Sequence, residues 1–266
     1  MKQLVRIALL AAAFVSAPAT AQTKPKITDA GDAPASILYV GNSFFYYNNS
    51  LHNHVGRIAS SAPAPARFRS TSVTISGSGL DWHDVETQFR PNALAKYSFD
   101  AKNNVVFNPP RAKLFDVTII MDCSQCPVHP QLKTVFTEYA KKHAETIRKH
   151  NSKPAYFMSW AYADKPEMTA ELAEAYTQAG NDNEVLVIPA GLAFARSIAM
   201  KPDLELYAPD KRHPSLAGTY LAAATVFASL TNRTPVGAKY NAGLDEGTAA
   251  HLQAVAWETV KAYYGR

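Results

Sequence analysis

Five short apolar runs, each bounded by turn-forming residues and separated by helical patterns, constrain this 266-residue chain more than any other feature. They are ILYV at 37–40, TSVTI at 71–75, DVTIIMD at 116–122, KPAYFMSWAY at 153–162 and EVLVIPAG at 184–191. Runs of this length, rich in β-branched and aromatic residues, read as strands, those at 37–40 and 116–122 as the buried kind that parallel sheets contain. Helical spacing of apolar residues fills the intervals, at 51–61, 131–150, 167–180 (stopped by Gly180), 191–200 and 216–230, with a last amphipathic stretch at 247–265. Strands that alternate with helices predict one α/β domain, a five-stranded parallel sheet with helices on both faces, an α/β/α sandwich. No internal repeat or low-complexity tract competes with that reading.

The first strand runs into Gly41-Asn42-Ser43, followed by four aromatics and the helical pattern at 51–61. A serine in this corner stands at the carboxyl end of a parallel strand, where α/β sheets place their ligands, and at a helix start whose free N–H groups favour negative charge. Ser43 is therefore a candidate nucleophile. The same string also reads as a plain strand-to-helix turn. A second stretch, YAPDKRHPSLAGTY, sets Asp210 and His213 three residues apart just before an apolar helix, with Pro214 near its first turn. A hydroxyl nucleophile needs a base, and the base needs an orienting group. Taken without Ser43, the pair would be a cap at a helix start.

With GNS at 41–43, a glycine in ISGSGLDWH at 75–83 and DKRHPS at 210–215, the chain resembles the SGNH/GDSL hydrolases, a family of serine esterases. The resemblance spans positions 37–231 and implies a flavodoxin-like sandwich and a Ser43-His213-Asp210 triad. It also implies an oxyanion hole with backbone N–H groups of Ser43 and Gly77, Gly79 being the alternative glycine. Where the family's third block usually offers an asparagine, this chain has Cys123, Ser124, Gln125 and Cys126. Gln125 could replace the missing donor through its amide, Ser124 through its hydroxyl, or the hole could rest on backbone donors alone. The expected activity is hydrolysis of a short-chain or acetyl ester, the substrate being a small molecule or a saccharide, with no cofactor and no metal. A rival reading is a non-catalytic glycan-binding module on the same fold, with Phe44, Phe45, Tyr46 and Tyr47 as the stacking surface.

Lys2 and Arg6, the apolar stretch 7–17 and Ala19-Thr20-Ala21 form the pattern of a signal peptide, residues 1–21, with cleavage expected after Ala21. The expected location is periplasmic or secreted, with no stable membrane anchor. Residues 22–36 read as a tether and 37–266 as the single domain. Without Lys2 and Arg6 the formal charge falls from +5 to about +3. That excess reads as spread over the chain, with neither a nucleic-acid patch nor a polybasic membrane stripe.

Cys123 and Cys126, the two cysteines of the chain, are three apart, and in an exported protein a short-range disulfide is the simplest pairing. A redox-active thiol pair and a zinc site with His129 are the sharper alternatives. His52 and His54 lie two apart on a helix and point away from each other, a poor geometry for a shared ion. His83 falls at an expected helix start and would at most line a pocket. Residues 88–115 break the α/β rhythm with two short strands around Lys102-Asn103-Asn104, an excursion of the kind that often carries substrate contacts.

Overall fold

The computed structural model describes residues 23–90, 93–94, 97–107, 109 and 113–266; the expected signal peptide lies outside them. Strand β1 (Ser36–Gly41) leads to a single helical turn α1 (Ser43–Tyr46) and helix α2 (Leu51–Ser61). Strand β2 (Arg69–Thr74) is followed by a 3-10 turn (Leu80–Trp82) and α3 (Val85–Phe89). A hairpin of β3 (Tyr97–Phe99) and β4 (Val105–Phe107) precedes β5 (Val117–Ile120) and α4 (Lys133–Lys149). The chain continues through β6 (Lys153–Phe157), α5 (Met168–Asn183), β7 (Leu186–Ile188), α6 (Ala190–Met200), α7 (Leu216–Thr231) and α8 (Glu246–Tyr264).

The main sheet has the order β2-β1-β5-β6-β7 with every pair parallel, so the five-stranded sandwich expected from the apolar runs is the architecture found. Because side chains alternate along a strand, the buried sheet divides them between two helical layers. Ile37, Tyr39, Ile119, Phe157 and Ile188 face the layer of α2, α6, α7 and α8, while Leu38, Val40, Ile120, Tyr156 and Val187 face α4 and α5. Helix α7 is buried from Ala217 to Thr231, on every side rather than along one broad face. The chain leaves β1 in one direction to reach β2 and returns past it to β5, so the crevice at the carboxyl ends of β1 and β5 is the topological switch point of the sheet.

Several details differ from the local reading of the sequence. The helix after Ser43 is one turn, because Asn48, Asn49 and Ser50 take left-handed backbone angles before α2 begins, so the dipole at Ser43 is that of a single turn. Pro214 does lie near the first turn of α7, one residue before its N-cap Ser215, whose hydroxyl accepts from the Gly218 N–H at 3.1 Å. His83 lies between the 3-10 turn and α3 and is buried, with Nε2 at 2.9 Å from the Ser78 hydroxyl. The stretch read as a tether is pinned from Thr23 onward: Thr23 donates to Glu174 (2.6 Å), Lys26 N–H to Asn181 Oδ1 (2.7 Å) and Lys153 Nζ to the Ala30 carbonyl (2.8 Å).

Helix α5 runs past Gly180 to Asn183 and ends on Glu184 in a left-handed conformation. Gly180 instead permits close packing, for a Cβ there would stand 2.4 Å from Val187 Cγ2 and 2.9 Å from the Val185 carbonyl oxygen. Two effects oppose each other in Gly180→Ala. Helix propensity favours alanine by about 1 kcal/mol, whereas overpacking against β7 costs roughly 1–3 kcal/mol. Since backbone as well as a methyl group must move, the expected result is a net loss of about 1–2 kcal/mol in denaturant unfolding. A stabilised variant would show that β7 yields without strain.

Candidate active site

Ser43 opens α1 immediately beyond β1, and its hydroxyl lies 2.8 Å from His213 Nε2. On its other side the His213 ring donates from Nδ1 to Asp210 Oδ2 in a very short contact. With Nδ1 protonated, Nε2 presents its lone pair to the Ser43 O–H. The structure thus brings together all three residues, although Ser43 and His213 are 170 positions apart in the chain.

Asp210 also accepts from the backbone N–H groups of Arg212 and His213, both at 3.0 Å. Partial burial raises its pKa, but the His213 ring and these two N–H groups outweigh that and hold it at about 2. The loop carrying the pair is rigid in its own right. Ala208 N–H donates to the His213 carbonyl (2.8 Å), Ala163 N–H to that of Lys211 (3.0 Å) and the Trp160 indole to that of Arg212 (3.0 Å). Lys211 adopts φ 64°, the left-handed angle that turns the loop between Asp210 and His213.

The aromatics after Ser43 divide their work. Phe44 and Phe45 are buried, Phe44 stacked on Trp160 at 4.5 Å and Phe45 edge-on to Phe157. Tyr47 stacks on the His213 imidazole at 4.2 Å with the planes 6° apart, and the Tyr46 hydroxyl bonds Ser76 at 3.0 Å. Asn48 donates to the Pro214 carbonyl and to Thr219 Oγ1, both at 2.8 Å, which locks the segment after the serine to the segment after the histidine.

On the neighbouring strand end, Gly77 has φ 72°, the left-handed turn conformation that favours glycine, and open space where a Cβ would lie. Gly79 has ordinary backbone angles, and a Cβ there would meet the carboxylates of Asp81 (2.6 Å) and Asp122 (3.0 Å). The two glycines therefore serve different ends, one a turn and the other a close approach. In the third loop Cys123 and Cys126 form a disulfide, with Cα atoms 5.2 Å apart, so neither sulphur is a free thiol or a thiolate ligand. The Ser124 hydroxyl is engaged with that of Tyr162 at 2.7 Å, and the Gln125 carbonyl accepts from Val128 and His129. His54 is buried between the Asn48 carbonyl (2.6 Å) and the Tyr240 hydroxyl (2.9 Å), which accounts for both ring nitrogens without an ion.

Two residues escaped the sequence reading. Asn42, inside the GNS string, is buried; it accepts from Phe44 N–H (3.2 Å) and donates to the carbonyls of Ser78 (3.0 Å) and Asp122 (3.1 Å). Its signal was a polar residue wedged between an apolar strand and aromatics. Asp122, at the carboxyl end of β5, is also buried. Its Oδ1 accepts from Leu80 N–H and Cys123 N–H, both at 2.8 Å, while Oδ2 has no partner. Burial raises its pKa to about 6, the two N–H groups opposing and Asp81 assisting.

A carboxyl moved from 3.8 unfolded to about 6 folded binds its proton more tightly in the native state. Stability therefore falls as pH rises through this window, by roughly 3 kcal/mol in all, and the loss is complete above pH 6. Asp122→Asn, which keeps an acceptor for Leu80 and Cys123, should remove this component. Thermal unfolding between pH 4 and 8 tests it: the variant should gain on the parent as pH rises, and parallel curves would refute the shift.

No family model and no curated protein matches the chain. Solved structures do. A DUF4886 family protein from Bacteroides uniformis is 19% identical with TM-score 0.57, the match covering 84% of this chain and 93% of that one. A protein from Slackia heliotrinireducens assigned to the SGNH hydrolases is 21% identical (TM-score 0.54; 73% and 98% covered). A catalytic mutant of Axe2, an acetylxylan esterase from Geobacillus stearothermophilus, is 12% identical (TM-score 0.52; 75% and 95% covered). Together with the strand order and the switch-point crevice, these matches establish that the chain has the SGNH-hydrolase fold.

Proposed function

We propose that this protein is an exported serine esterase that hydrolyses a short-chain or acetyl ester, with Ser43 as nucleophile, His213 as general base and acid, and Asp210 as the group that orients it. The observation carrying this reading is the continuous line of hydrogen bonds from the Ser43 hydroxyl through both nitrogens of His213 to Asp210. It stands at the carboxyl edge of a parallel sheet, where such folds hold ligands. The acetylxylan esterase among the structural matches gives the acetyl ester its place in the proposal. Export rests on the signal-peptide pattern of residues 1–21.

In the proposed reaction, His213 Nε2 takes the Ser43 proton as the oxygen attacks the acyl carbon. The imidazolium that forms is stabilised by Asp210, whose carboxyl stays ionised at any pH above about 2. Tyr47, stacked flat on the imidazole, limits ring rotation, so that Nε2 stays aimed at Ser43. Negative charge on the carbonyl oxygen is met by the N–H groups of Ser43 and Gly77. His213 then delivers the proton to the leaving alkoxide, and a water repeats the sequence on the acyl-enzyme.

Ser43→Ala and His213→Ala should each remove at least about 1,000-fold of kcat with the fold intact, and the double variant should be little worse than either. Assay with p-nitrophenyl acetate and an acetylated xylooligosaccharide measures this. Full activity in folded Ser43→Ala would overturn the assignment and favour the glycan-binding reading.

Gln125→Ala separates two forms of the oxyanion hole. If the amide has replaced the family's asparagine, kcat and kcat/KM should fall together by about 100-fold. We expect a change below about threefold, because Gln125 lies between two disulfide-bonded cysteines that restrict where its side chain can reach.

A further inference from the structure

The loop after β5 gathers a buried carboxyl and two sulphurs into one small cluster. A carboxylate oxygen of Asp122 and the sulphurs of Cys123 and Cys126 all lie within 4.8 Å of one another. Asp122 Oδ1 is occupied by the Leu80 and Cys123 N–H groups, whereas Oδ2 is buried without a partner. The titratable groups facing this carboxyl are Asp81, from the 3-10 turn, and the Tyr176 hydroxyl of α5, which burial keeps protonated. The chemistry of Ser43, His213 and Asp210 makes no use of the cluster.

The two sulphurs are not equivalent. Cys126 is 8% exposed, while Cys123 is partly open to solvent. The Cys126 N–H donates both to the Cys123 carbonyl (3.3 Å) and to Cys123 Sγ (3.0 Å). A backbone N–H aimed at a sulphur favours negative charge there, so Cys123 is the sulphur suited to be attacked first and to leave as a thiolate.

The bridge is also dispensable for the shape of its loop. It spans three positions, and closing so short a loop removes little chain entropy. Other contacts hold the same segment: Asp122 on Leu80 and Cys123, the Ser124 hydroxyl on that of Tyr162 (2.7 Å), and the Ser159 hydroxyl on the Ser124 carbonyl (3.2 Å). The His129 N–H adds a bond to the Gln125 carbonyl (2.9 Å). A disulfide that can open without loosening its surroundings, next to a buried group that can carry a proton, meets the requirements of thiol exchange.

We propose that Cys123, Cys126 and Asp122 form a dithiol-disulfide exchange centre, chemically independent of the serine site, that takes two electrons from a dithiol. A thiolate of the dithiol attacks Cys123 Sγ; the S–S bond breaks and its electron pair passes to Cys126 Sγ, which takes a proton from the Asp122 carboxyl. The second thiolate of the dithiol then attacks the sulphur bound to Cys123, closing the substrate disulfide, and Cys123 leaves as a thiolate facing the Cys126 N–H. The substrate has lost two electrons and the cysteine pair has gained them. Of the two protons released by the substrate thiols, one restores Asp122 and the other stays in solvent. In reverse, the Asp122 carboxylate takes the Cys126 proton, so that the buried thiol can re-form the bridge. A carboxyl raised by burial to about 6 serves both directions near neutral pH. None of this depends on the esterase reading.

Alkylation of free thiols and mass measurement, on the folded and oxidised chain, test the proposal. At pH 7 dithiothreitol should open the bridge without denaturant, at least about 100-fold faster than it reduces oxidised glutathione. Between pH 5 and 7.5 the rate per thiolate should fall about tenfold in the parent, as Asp122 loses its proton. In Asp122→Asn, which keeps an acceptor for Leu80 and Cys123, that rate should stay level. Oxidised glutathione should trap Cys126→Ser as a mixed disulfide at Cys123 at least about tenfold faster than it traps Cys123→Ser at Cys126. This pair of variants decides the matter even where Asp122→Asn fails to fold. A bridge that opens only in denaturant, a parent profile that matches Asp122→Asn, or a Cys126 that reacts as fast as Cys123 each overturns the proposal and leaves a disulfide that only closes a turn.

Discussion

The side-chain amide of Asn42 is the contact on which the geometry of this site depends. β1, β2 and β5 each end in a loop at the switch point, and parallel strands provide no hydrogen bonds between such loops. Asn42 provides them. Its oxygen caps the turn that begins at Ser43, and its nitrogen donates to one carbonyl in the loop after β2 and one in the loop after β5. Because the group is buried, any movement of one loop would leave a polar atom without a partner, at a cost of about 1–3 kcal/mol per group. The three loops are thereby held as one body.

Two carboxylates on this edge illustrate how environment assigns roles to identical groups. Asp210 is partly exposed and surrounded by donors, including two backbone N–H groups of its own loop, and remains ionised. Asp122 is buried with one oxygen satisfied and the other bare, and is pushed toward its neutral form. The first can stabilise a positive imidazole. The second ties Leu80 to Cys123 and so spans the loops after β2 and β5, which Asn42 also bridges.

The sheet was legible because burial on both faces leaves an apolar run on β1, β5, β6 and β7 that needs no partner to be recognised, while the half-exposed edge strand β2 was marked by its β-branched residues. Helix ends were less so. Gly180 looked like a stop signal, yet the helix continues because the glycine is needed for contact with β7, a neighbour that local sequence does not announce. Likewise residues 22–36 are polar and proline-bearing, and it is residues far away in the chain, among them Glu174, Asn181 and Lys153, that hold the described part from Thr23 down.

For the candidate site, the residue types and their order along the chain were readable in the sequence itself: a serine after the first strand and an Asp-x-x-His before an apolar helix. The cysteine pair was readable too, since a spacing of three leaves little choice of partner. Tertiary structure alone decided that Ser43 and His213 meet at 2.8 Å, that Tyr47 lies flat on the imidazole, and that Asn42, Asn48 and Asp122 bind the loops together. The physical reason is range. Apolar periodicity and turn chemistry act over a few residues and are written locally, whereas a hydrogen bond between residues 170 apart exists only once the sheet has set its strand order.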